Sequence, residues 1–144
     1  MDHYGPRCMQ PAIGLLGGGE GDMSEDCLTL NIWAPPAADR AAVMFWIHGG
    51  AFLAGSGSFP YFNGASLARQ GVVVVTINYR LGLFGFFAHP QLTREAAPEP
   101  AANFGIMDQV AALHGYTATL RHSAAILKMS PSSANPREAS PFTI

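Results

Sequence analysis

Apolar runs separated by glycine and proline breaks set out a strand, loop, helix, strand order along the first two-thirds of the chain. Cys27 to Trp33 (CLTLNIW) alternates apolar and polar positions, the period of a half-buried strand, and Pro35 and Pro36 end it. Val43 to Ile47 (VMFWI) and Val72 to Ile77 (VVVVTI) are continuous apolar runs. Such β-branched and aromatic runs suit strands covered on both faces, as in a parallel sheet. Between them lie a glycine-rich turn and a short helical stretch, Ala65 to Gln70, with Gly71 where a helix C-terminal glycine belongs. Asn103 to Leu113 has apolar residues at helical spacing, with Asn103 as its N-cap. This order predicts an α/β architecture: an incomplete, mostly parallel central sheet with flanking helices.

Two stretches break the pattern. Residues 9 to 24 hold Pro11, Gly14, Gly17, Gly18, Gly19 and Gly21 with no strand before them, so they read as a flexible loop rather than a phosphate cradle. After Leu113 the chain turns rich in Ser and Thr and carries Pro131, Pro136 and Pro141. Tyr116 to Met129 predicts a weak helix, and Ser130 to Ile144 an irregular or disordered end.

Composition narrows the function classes. A chain of 144 residues with 49% apolar content can bury a core, but its 12% charged share is about half that of an ordinary soluble domain. It reads as the inside of something larger. A net charge of -2 gives no electrostatic case for nucleic acid or an anionic membrane as partner. No apolar run approaches the roughly 20 residues of a membrane span, and no basic-then-apolar leader follows Met1. Cys8 and Cys27 are either two buried thiols or a disulfide closing the glycine-rich loop, and spacing does not decide.

The segment richest in chemistry is Trp46-Ile47-His48-Gly49-Gly50-Ala51-Phe52. An apolar strand ends in a histidine and two adjacent glycines, which let backbone N–H groups converge on one point. Donors aimed that way stabilise the oxyanion of an acyl-transfer intermediate, and an HGGG-type loop does this in the α/β-hydrolase fold. The competing reading is a tight strand-to-helix turn without function.

Four motifs in order make the resemblance specific: Ser24-Glu25-Asp26-Cys27-Leu28-Thr29-Leu30-Asn31-Ile32-Trp33, the HGG loop with Gly55-Ser56-Gly57-Ser58, Asn78-Tyr79-Arg80-Leu81-Gly82 with Gly85-Phe86, and Asn103-Phe104-Gly105 with Asp108-Gln109. Over residues 5 to 113 the chain resembles the type-B carboxylesterase and cholinesterase family. The resemblance implies an oxyanion hole at Gly49, Gly50 and Ala51, with Gly49 fixing the turn and the donors on Gly50 and Ala51. Ala51 stands where many members have a third glycine. The resemblance also implies a Cys8–Cys27 disulfide, ion-pair roles for Arg80 with Glu25 or Asp26, and a loop-orienting role for His48. The implied substrate is a small-molecule carboxylic ester, with no metal and no cofactor.

The family's nucleophile lies in G-x-S-x-G, followed by an acid and a histidine. No G-x-S-x-G occurs in this chain; Ser66 in Gly64-Ala65-Ser66-Leu67-Ala68 lacks a preceding strand, and His89, His114 and His122 lack a base's context. Codons for residues 114–143 can be chosen so that the neighbouring frame reads as 30 family-like residues, including a G-E-S-A-G elbow whose serine codon straddles Asn135 and Pro136. The first two bases of most codons are fixed by the amino acid, so this is hard to obtain by chance. The expectation is a one-base deletion near the Leu113–His114 codons. Residues 1–113 are then the N-terminal part of a carboxylesterase domain, and 114–144 a poorly ordered, non-family tail. Bare sheet edges and no esterase activity follow. A non-catalytic α/β-hydrolase-like interaction protein is the alternative; it needs neither the HGG loop nor an elbow. A Rossmann-like binder would need G-x-G-x-x-G between strand and helix, which is not found. The compartment stays open, with the implied disulfide pointing to export or the periplasm.

Overall fold

A computed structural model describes residues 4–12, 21–36, 38, 40–98, 102–126 and 142–143, with backbone alone for 119–126 and 142–143. Most of the glycine-rich loop, Met129 and nearly all of the end from Ser130 lie outside the described residues. Strand β1 (Arg7–Cys8) pairs in parallel with β2 (Met23–Ser24). A four-stranded sheet holds β3 (Leu30–Trp33), β4 (Val43–Ile47), β5 (Val73–Ile77) and β6 (Phe142–Thr143) in the order β4-β5-β3-β6. The helices are α1 (Ala65–Ala68), α2 (Gly82–Phe86), α3 (Pro90–Ala96) and α4 (Phe104–Ile126).

The apolar runs form strands where the pattern places them. In β5 all five residues are buried, because α1 covers one face and α4 the other. Val73, Val75 and Ile77 pack with Tyr79, Leu81 and Tyr116; Val74 packs with Trp33 and Ala68. Each such buried side chain contributes about 1.5–3 kcal/mol of hydrophobic stabilisation. Gly71 (φ +92°) ends the α1 region as expected: Val72 N–H donates to Leu67 O at 3.2 Å, and Gly71 N–H to Ala68 O at 3.0 Å.

Three expectations change. First, β4 and β5 are parallel, but β3 meets β5 antiparallel and β6 meets β3 antiparallel, so the sheet in this chain is mixed. Second, β4 is an edge strand: Val43, Met44, Trp46 and Ile47 are each about 40% exposed. Its apolar composition reads like a buried strand because composition cannot say which neighbour is present. Third, the helices expected at Asn103–Leu113 and Tyr116–Met129 are a single one, running without a break from Phe104 to Ile126. Once nucleated, a helix propagates at low cost through residues such as those after His114. Tyr116 anchors this extension, 4% exposed with its ring 6.2 Å from Phe45. Phe142–Thr143, expected to be irregular, lies beside β3. None of the described helices is long and apolar enough to cross a membrane.

Candidate oxyanion site

The loop of residues 48–55 leaves the carboxyl end of β4 and is held at both ends and at its crown. At its entry, His48 is 3% exposed and stacks on Tyr79, with ring centroids 4.4 Å apart. The Tyr79 hydroxyl donates to His48 O at 2.9 Å. His48 Nδ1 lies 2.9 Å from Gly49 O, which can only accept, so Nδ1 carries the proton. Burial lowers the His48 pKa, and the Gly49 hydrogen bond opposes that shift. Nε2 is buried with no hydrogen-bond partner among the described residues. This imidazole is enclosed rather than presented to a ligand, the placement of a loop-orienting residue.

At the crown, Gly50 (φ +122°), Ala51 (φ +54°) and Phe52 (φ +60°) follow one another in the left-handed half of backbone space. Such a conformation is easy for glycine and costly for alanine or phenylalanine. Leu53 and Ala54 donate to Gly50 O at 3.0 and 3.2 Å, closing the turn. The amides of Gly49, Gly50 and Ala51 have no partner among the described residues, and Gly49 and Ala51 are exposed. Gly50, not Gly49, makes the turn: a Cβ on Gly50 would overlap Ala54 O, whereas one on Gly49 would meet nothing within 4 Å. Phe52 O accepts from Gly82 N–H at 2.7 Å, and the Phe52 ring lies 4.9 Å from Phe86, so the crown is tied to α2.

At its exit, Gly55 (φ +133°) packs so closely on His48 that any Cβ would collide with the imidazole. Ser56 and Gly57 are held by Asn78, whose Oδ1 accepts from Ser56 Oγ at 3.1 Å and Gly57 N–H at 2.9 Å. Asn78 Nδ2 donates to Pro6 O at 3.1 Å and Cys27 O at 3.2 Å. One side chain thus ties the N-terminal segment, the Cys27 segment and the loop together.

The outer frame is ionic and covalent. Cys8 and Cys27 form a disulfide with Cα atoms 4.9 Å apart. Arg80 pairs with Asp108 rather than with Glu25 or Asp26, which are both exposed. Its Nη2 donates to Asp108 Oδ1 at 2.6 Å and its Nε to Oδ2 at 2.8 Å, while the Arg80 amide also reaches Oδ2 at 3.0 Å. These bonds push the Arg80 pKa further up. The helix brings Asp108 to Arg80 from 28 residues away, a pairing that local sequence does not display. Ser66 is exposed on α1, His89 caps α3 by accepting from Gln91 N–H at 3.2 Å, and His114 is exposed. None of these three lines the loop. The His122 side chain lies outside the described residues.

The class defined by fold and site is an α/β protein with backbone amides at the carboxyl end of a parallel strand that no described residue engages, an arrangement able to hold a negative oxygen. A model of the "Carboxylesterase family" matches residues 2–115, and the chain belongs to that family. It is 50% identical over 91 residues to the Fumonisin B1 esterase of Sphingopyxis macrogoltabida, covering 62% of this chain and 17% of that protein. It is 48% identical over 114 residues to the para-nitrobenzyl esterase of Bacillus subtilis strain 168, covering 76% and 22%. Among solved structures, a Geobacillus stearothermophilus carboxylesterase superposes with a TM-score of 0.62 at 46% identity, covering 78% of this chain and 22% of that one. The chain therefore spans about a fifth of the length of these relatives.

Proposed function

We propose that this chain supplies the oxyanion hole of a serine carboxylic ester hydrolase and does not turn over esters by itself. The observation that carries the reading is the set of amides at Gly49, Gly50 and Ala51 without a partner among the described residues, on a loop held at His48, Phe52 and Gly55. In a serine esterase a serine attacks the ester carbonyl and a histidine takes its proton; the C–O bond breaks, the alcohol leaves with that proton, and water then cleaves the acyl-enzyme to release the acid. The carbonyl oxygen gains charge as the tetrahedral intermediate forms. Gly50 and Ala51 N–H groups donate to it, and one such donor is worth about 2.7–4 kcal/mol in the transition state.

The 144 residues contain no G-x-S-x-G, and family resemblance ends near His114. We attribute the missing serine to a shifted reading frame there; the nucleotide sequence through codons 105–144 tests this, and codons incompatible with the shifted reading would remove the idea. The functional reading is tested with p-nitrophenyl acetate. The chain alone should give no turnover above a heat-treated control. Replacing the matching segment of the Bacillus subtilis esterase, 22% of its length, with that of this chain should give a chimera that hydrolyses the ester. A folded chimera without activity would overturn the assignment, and turnover by the chain alone would overturn its inactivity.

A further inference from the structure

We infer that Gln10 is a positioning residue for the oxyanion loop, carrying the order of the disulfide-bonded segment into the cradle; the inference rests on the function proposed above. Gln10 lies 45 residues from Gly55 in sequence, yet its carboxamide pairs with both backbone polar groups of that glycine. Nε2 donates to Gly55 O at 2.8 Å, and Oε1 accepts from Gly55 N–H at 2.8 Å. The second Nε2 hydrogen serves Cys8 O at 3.0 Å. The side chain mimics one rung of a β-ladder, and its own anchor, Cys8, is 2% exposed and covalently tied to Cys27.

Gly55 is a consequential place to hold. Its positive φ and its contact with the His48 ring leave no room for a side chain, so the loop cannot be fixed there by packing of a larger residue. A backbone clamp is the remaining means. Gly55 in turn sits against Gly49 O and His48 Nδ1, and Gly49 O shares its peptide plane with the Gly50 N–H, so holding it sets the direction of that amide. With Gly55 free, the exit of the loop loses its register and the turn closed on Gly50 O loosens.

Hydrogen–deuterium exchange of the full chain with its disulfide intact, read at single residues, tests this without reference to ester cleavage. In Gln10→Ala the Gly55 amide should exchange on the order of tenfold faster, the scale of one net hydrogen bond. Leu53 and Ala54, which donate to Gly50 O, and Gly82, which donates to Phe52 O, should quicken with it. Val75 in the centre of the sheet should not change. Gln10→Glu keeps the acceptor for Gly55 N–H but loses both donations; it should leave Gly55 slow and place the other three amides between wild type and Gln10→Ala. A response confined to Gly55, or one shared equally by Val75, overturns the inference. If Gln10→Ala does not fold, Gln10→Glu decides: faster Leu53, Ala54 and Gly82 with Val75 unchanged supports positioning, and no change overturns it. Because exchange reports loop order alone, an inactive chimera and a failed Gln10 effect are separate results.

Discussion

Substituting alanine at Gly50 and, separately, at Gly49 distinguishes the residue that builds the loop from the one that only borders it. At Gly50 the added Cβ meets two obstacles. A φ of +122° lies where L-residues are strained by about 1–3 kcal/mol. The new carbon also overlaps Ala54 O, so the turn must open. Opening it weakens the Leu53 and Ala54 bonds to Gly50 O, each worth a net 0.5–1.5 kcal/mol or so. The sum is about 2–6 kcal/mol, a large share of the roughly 5–15 kcal/mol that holds a typical domain together. At Gly49 no atom lies within 4 Å of the added carbon and φ is not positive, so the expected cost is about 0.5 kcal/mol or less. Urea unfolding followed by fluorescence of Trp33 and Trp46 measures both. Equal costs at the two glycines, or a Gly50→Ala cost under about 1 kcal/mol, would refute the account of the turn.

Asp108→Asn leaves the Arg80 guanidinium without its charge partner and should destabilise by about 2–4 kcal/mol, while Glu25→Gln and Asp26→Asn stay within about 0.5 kcal/mol; the reverse order would restore the pairing read from the sequence. Reducing Cys8–Cys27, or replacing both with serine, frees a loop of sequence separation 19 and should lower the unfolding free energy by about 3 kcal/mol, read from the urea midpoint. Burial depresses the folded-state His48 pKa below 6.5, so the unfolded chain binds more protons just below that pH. The His48 contribution is therefore complete above pH 6.5 and declines as pH falls below it. The stability difference between wild type and His48→Asn should shrink between pH 7.5 and 5.5, and a constant difference would count against an enclosed, neutral imidazole.

Much of the strand framework was legible because β5 and β4 are written as uninterrupted apolar runs. What those runs could not convey is neighbourhood. VMFWI looks as buried as VVVTI, yet one is an exposed edge and the other the sheet's centre. Helices α2 and α3 are not legible in the sequence, because Gly82 and Gly85 in the first, and His89-Pro90 at the start of the second, read as loop signals rather than as a 3.6-residue period. At the site, His48-Gly49-Gly50-Ala51 announces itself by composition. Its supports do not: Gln10 to Gly55, Asn78 to Cys27 and Arg80 to Asp108 span 45, 51 and 28 residues, and a side-chain amide or guanidinium gives no local sign of which distant carbonyl or carboxylate it will meet. The motif Asn78-Tyr79-Arg80-Leu81-Gly82 stands in the sequence only as a string. Its physical content is that Asn78, Tyr79 and Gly82 each hold a point on one loop or its exit, and Arg80 fixes the helix beside it.

On the function proposed above, the amides of Gly50 and Ala51 receive the developing negative oxygen. A crystal structure of the esterase chimera with a boronic acid bound to its nucleophile measures this directly. One boronate oxygen should lie about 2.7–3.1 Å from both Gly50 N and Ala51 N. A tetrahedral adduct whose oxygens all turn away from those two amides would contradict it.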